Sequence, residues 1–209
     1  QKLAKLMIQI GASHGIEVVC ILSNMDIPLG NNIGNALEVK EAMEVLQGKT
    51  GHLTDLCVEI ATQMVHLDLN ISTKEAKKLV QKNIANGNAY HKFLEFVGAQ
   101  GGNISNLPQS TYQYEILSKK SGFIDTIDAL LLGNLSMHLG AGRLNLNDKL
   151  NYGAGIILNK KVGDKVEVGD TLMTLYTSKE LNPQEISTES FLITDNPPKE
   201  NPLIYQIME

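Results

Sequence analysis

Tryptophan is absent, Cys20 and Cys57 are the only cysteines, and no stretch approaches the roughly 20 apolar residues that cross a bilayer. The two cysteines stand apart, without the spacing of a thiolate metal site or a disulfide framework, and such usage fits a reducing, cytoplasmic setting. Positive charge is also scarce and scattered. Eighteen Lys and Arg face 23 Asp and Glu, for a net charge of -5, which argues against a nucleic-acid stripe or a basic membrane-binding helix. No basic-then-apolar leader opens the sequence. The five histidines, His14, His52, His66, His91 and His138, form no close pair suited to a metal or a catalytic dyad. His66 and His91 read as packed or partly exposed helix residues. Cys57, on a helical face with Leu53, Ile60 and Ala61, reads as a buried, inert thiol.

What is present is ordinary for a globular protein: 43% hydrophobic and 20% charged residues in a chain of 209, enough for one or two cores. Gln1 is not an initiator Met. Lys2–Ile8 already reads as the middle of an amphipathic helix with no capping residue before it, so a missing beginning is expected.

Along the first half, a helix ends near Gly11–Gly15, and Glu17–Leu22 forms a short apolar run of the kind found in strands buried in a parallel sheet. A loop over Ser23–Gly34 leads to a helix from Asn35, with Glu38 three residues on as a capping-box partner. Helices are expected over Leu53–Leu69, from a Ser72/Glu75 capping box to about Asn86, and over Tyr90–Val97. From Tyr112 the pattern shifts. Strands are expected at Tyr112–Leu117, Gly153–Leu158, Val166–Val168, Thr171–Tyr176 and Phe191–Thr194, with a helix over Thr126–His138. The expected fold is therefore α/β: part of an open α/β-sheet domain over residues 1–105, then a small, mostly antiparallel β, barrel-sandwich-like α+β domain over 106–209.

The segment Leu22–Ala42, LSNMDIPLGNNIGNALEVKEA, is the most specific. With Leu139–Arg143 and Lys161–Val166 following in order, it resembles the pyrimidine-nucleoside and thymidine phosphorylase family across essentially the whole chain. The resemblance implies reversible phosphorolysis of uridine, thymidine or deoxyuridine to free base and pentose 1-phosphate. It also implies inorganic phosphate as co-substrate, a homodimer, and an oxocarbenium-like transition state. The Lys, Ser, Thr and Arg donors that such chemistry needs lie, by the same resemblance, upstream of position 1. No catalytic or substrate-binding residue is therefore expected in this chain, and the chain alone is expected to be inactive.

Leu29–Gly34 is too glycine-rich and irregular to continue either flanking element, so its carbonyls need partners outside a ladder. Glu38 and Glu41 share a helix face. Backbone oxygens with a carboxylate suit a hard cation; read from the residues alone, a solvated Glu41 beside a plain connector is the favoured reading. The resemblance implies a potassium ion held by the backbone oxygens of Leu29 and Asn32 and the side chain of Glu41, with further ligands from a Gly/Thr turn outside these residues. Gly140–Arg143 has the look of an anion-binding turn, but a structural turn with Arg143 as a surface or interdomain contact is the favoured reading. A second class of function is also open. Val162–Asp170 is similar to the strand-turn pattern of biotinyl and lipoyl carrier domains, although Met173 has no adjacent Lys and Lys160–Lys161 precede the wrong strand.

Overall fold

Leu3, Leu6, Met7 and Ile10 recur at helical spacing, and Lys2–Ser13 forms α1 with that face exposed. The computed structural model describes every residue except Glu200. The elements run β1 (Cys20–Ser23), β2 (Asn32–Gly34), α2 (Ala36–Leu46), α3 (His52–Leu69), α4 (Thr73–Ala85) and α5 (Asn88–Ala99). They continue with β3 (Tyr112–Leu117), β4 (Gly122–Ile127), α6 (Ala129–Ser136), β5 (Gly155–Leu158), β6 (Lys165–Val166), β7 (Thr171–Thr177), β8 (Phe191–Thr194) and β9 (Ile204–Met208). The chain is a mixture of helices and open antiparallel sheets. It divides into two units: Gln1–Asn24, Val45–Phe93 and Asn201–Glu209 make the first, and Met25–Glu44 with Leu94–Glu200 the second.

In the first unit, α3 and α4 pack against each other. Ser72 caps α4 as its sequence predicts: the hydroxyl accepts from the Glu75 backbone N–H, while the Glu75 carboxylate accepts from the Ser72 backbone N–H. Strand β1 differs from expectation. It starts later than Glu17 and pairs antiparallel with β9, Ile21 opposite Ile207, and all four of its residues are half-buried. An apolar run records burial; it carries no information about the direction of its partner. Cys57 also departs from expectation, because it stands at the surface, only partly covered, rather than buried. It borders an apolar groove lined by Val58, Ala61, Leu79, Val80 and Ile84.

The second unit holds the main core. One sheet has the order β2-β5-β7-β3 and another β6-β4-β8, all antiparallel. Ile124, Leu132, Ile156, Leu172, Met173 and Leu175 are fully buried within it. Strand β3 alternates as its sequence predicts, with Tyr112, Tyr114 and Ile116 turned inward. The expected helix over Thr126–His138 begins later: Phe123–Ile127 lie in β4, and Asp128 caps α6 by accepting from the Leu131 N–H at 2.9 Å. Thr126 and Ile127 are paired with Leu192 and Phe191 on β8. That long-range partner takes them away from the helix which local apolar spacing suggested.

The two Val-Gly-Asp triplets make the same turn twice. Asp164 accepts from the Lys161 N–H at 2.7 Å and Asp170 from the Glu167 N–H at 3.3 Å, with Gly163 and Gly169 at φ of 92° and 96°. Lys160 reaches Asp170 at 2.9 Å. This pair holds the Asp170 carboxyl below its ordinary value, with the Lys160 hydrogen bond as the first cause and the Glu167 amide as the second.

Candidate functional site

Glu41 projects from α2 back across the turn that precedes β2. It is 4% exposed, so the solvated alternative does not hold. Its carboxylate accepts from the Asn31 backbone N–H at 3.0 Å on both oxygens, and from the Asn32 N–H at 2.9 Å. One turn earlier Glu38 accepts from the Gly34 N–H at 2.9 Å, rather than from Asn35 as a capping box requires. The Asn32 side-chain amide donates to the Leu37 carbonyl at 2.8 Å. Both carboxylates on the first turns of α2 are thus committed to the backbone just before the helix, where N–H groups and the helix dipole favour negative charge.

The opposite edge of the same segment is held by β5. Asn32, Ile33 and Gly34 face Ile157, Ile156 and Gly155. The Leu158 N–H donates to the Asn31 carbonyl at 2.7 Å, and the Ala36 N–H to the Tyr152 carbonyl at 3.0 Å. The backbones approach closely where the two glycines cross. A Cβ at Gly155 would lie 2.2 Å from the Ile33 carbonyl oxygen, and one at Gly34 2.5 Å from that of Ala154. Only glycine fits this crossing.

Asn35, between β2 and α2, donates its side-chain amide to the Ala141 carbonyl at 2.9 Å. That carbonyl is the last of four in a row. The His138 carbonyl accepts from Lys179 Nζ at 2.7 Å, Leu139 from the Thr177 hydroxyl at 2.8 Å, and Gly140 from the Asn151 N–H at 2.9 Å. The Leu139–Arg143 stretch is therefore a helix end whose orphan carbonyls are satisfied from several segments, with Gly140 at φ 113° making the reversal and Arg143 at the surface. This supports the structural reading of that turn.

Of the expected ligands, Asn32 and Glu41 are brought together directly, and Leu29 precedes the same turn. The donor set fits a hard cation in kind: a buried carboxylate, which is acceptor-only when ionised, beside a turn with main-chain oxygens. Among the described residues no group of three or more His, Cys, Asp or Glu is placed to hold a metal ion, so oxygen from the backbone would have to supply most of such a shell. The sequence reading passed over Asn31, whose N–H is Glu41's second anchor, and the long reach of Asn35. A lone Asn between a glycine and a helix was legible as a cap, and nothing local showed that it points to a residue over a hundred positions away.

The comparisons with known proteins point to one family. Residues 123–190 match the family model described as the pyrimidine nucleoside phosphorylase C-terminal domain. The chain is 42% identical over 188 residues to a protein named pyrimidine-nucleoside phosphorylase from Staphylococcus haemolyticus, covering 86% of this chain and 43% of that protein. It is 40% identical over the same length to its counterparts from Staphylococcus aureus strains USA300 and NCTC 8325. The chain thus spans less than half the length of the curated relatives it matches. It belongs to the pyrimidine-nucleoside phosphorylase family and carries the C-terminal domain of that family.

Proposed function

We propose that the intact protein containing this chain catalyses reversible phosphorolysis of pyrimidine nucleosides, with uridine, thymidine and deoxyuridine as substrates. Phosphate attacks the anomeric carbon as the bond to the pyrimidine breaks, yielding free base and ribose or deoxyribose 1-phosphate. The observation that carries this reading is the 42% identity to a protein named for the activity, over 86% of the chain. The intact protein is read as a cytoplasmic homodimer. No helix among the described residues is long and apolar enough to cross a membrane. The test is base release from each nucleoside with and without phosphate, using the intact protein. Release that requires phosphate, matched by pentose 1-phosphate, is expected; release indifferent to phosphate overturns the reading.

Within that function, Leu29, Asn32 and Glu41 are assigned to a potassium site, through the backbone oxygens of the first two and the carboxylate of the third. The cation would add positive charge beside a buried carboxylate at a turn already drawn tight by that carboxylate. Glu41→Gln replaces one acceptor oxygen with an NH2 facing the Asn31 and Asn32 amides, so it is expected to weaken potassium dependence. An unchanged potassium titration in the intact enzyme counts against the site.

The carrier reading gains nothing from the geometry. Met173 is fully buried in β7, and Lys160 is paired with Asp170 rather than displayed at a hairpin tip. A biotinyl or lipoyl adduct in the intact mass would reinstate it.

A further inference from the structure

We infer that Asn35 is a positioning residue: within the second unit, its bond to the Ala141 carbonyl fastens the joint that follows the turn at Leu29–Asn32 and presets that turn for the cation. The inference rests on the cation reading above, and it adds a residue and a route which that reading does not contain. Three kinds of bond fasten the segment, and each comes from a different direction. Glu41 and Glu38 pull on its amides from α2. Strand β5 pairs along its length and takes the Asn31 carbonyl through the Leu158 N–H. At the joint between strand and helix, the side-chain bond outward among the described residues is Asn35 to Ala141 at 2.9 Å.

This last bond differs from the others in what it couples. Ala141 ends the run of four carbonyls whose other donors are Lys179, Thr177 and Asn151, so its position is set by β7 and by the segment before β5. Asn35 is part-buried and supplies a donor that neither Ala nor Asp retains. Its loss leaves the Ala141 carbonyl without that donor and the strand-to-helix joint held only by its backbone pairing to β5, the Ala36–Tyr152 bond and the Glu38 cap, a looser hold on the turn. The oxygens of Leu29 and Asn32 then have to be ordered when the ion arrives, and ordering at that moment lowers affinity.

The experiment uses the intact protein as wild type, Asn35→Ala, Asn35→Ser and Glu41→Gln. Hydrogen exchange over residues 28–36 is measured, together with the rise in thermal midpoint when potassium replaces choline at constant ionic strength. In wild type, potassium raises the midpoint. In Asn35→Ala, exchange at Asn31 and Asn32 accelerates and the potassium concentration needed for the same rise increases roughly threefold to tenfold, as expected for one lost hydrogen bond. High potassium restores the exchange protection. Asn35→Ser, with a shorter donor, falls between. Unaltered exchange and an unaltered potassium response in both Asn35 variants overturn the inference while leaving the cation site intact. A wild-type midpoint indifferent to potassium overturns the cation reading itself, and Glu41→Gln then matches wild type in its potassium response.

Discussion

Thr177 is fully buried, and its hydroxyl donates to the Leu139 carbonyl while accepting from the Lys179 N–H. At the scale of single residues such bonds explain why a short glycine-containing stretch is distinctive: its carbonyls are acceptors that must be met. Thr177→Val keeps the shape and removes the donor, so it is expected to destabilise the second unit by about 1–3 kcal/mol, the penalty for an unsatisfied buried carbonyl. Denaturant unfolding followed by fluorescence of the tyrosines checks this, and a midpoint equal to wild type contradicts it. Cys57 makes a different residue-scale prediction. Partial burial beside the apolar groove raises its pKa above 9.0, so less thiolate is present at neutral pH than in a free thiol. Its alkylation is expected to be slower than that of a model thiol and to keep accelerating above pH 9.0.

Among the elements, the paired Val-Gly-Asp turns and the cap of α4 were both readable from local sequence, since each is completed within a few residues. Gly163 sits at φ 92° with open space around its missing Cβ. Gly163→Ala therefore meets only a conformational cost, expected at about 1–2 kcal/mol, and a thermal melt within error of wild type contradicts that. Asp170 bears on pH. Its folded-state pKa is depressed by Lys160, so the stability this pair contributes is present above the ordinary carboxylate value of 3.8 and is lost as pH falls below it, through the depressed folded value. Lys160→Met is expected to move the Asp170 titration, followed by NMR, back toward 3.8. Strands β4 and β9 were not legible in this way. Short apolar runs suit helix or strand, and partners far along the chain decided the matter: β8 for β4, and β1 for β9.

For the molecule as a whole, the expected result with these 209 residues alone is no release of base from uridine and phosphate above background; measurable turnover contradicts it. Amphipathic spacing, capping residues and Gly-Asp turns are interactions between near neighbours, so the sequence by itself determined α1, the α4 cap, β3, β8 and the mixed helix-and-sheet character. The order of Leu22–Ala42, Leu139–Arg143 and Lys161–Val166 determined the family. The tertiary structure alone decided what those motifs do to one another. Pairing of Asn32 with Ile157, the crossing of Gly34 and Gly155, and the reach of Asn35 to Ala141 join residues more than a hundred positions apart. Local pattern carries no record of such contacts, because they form only when long-range packing supplies a partner for backbone groups that the turn itself leaves unpaired.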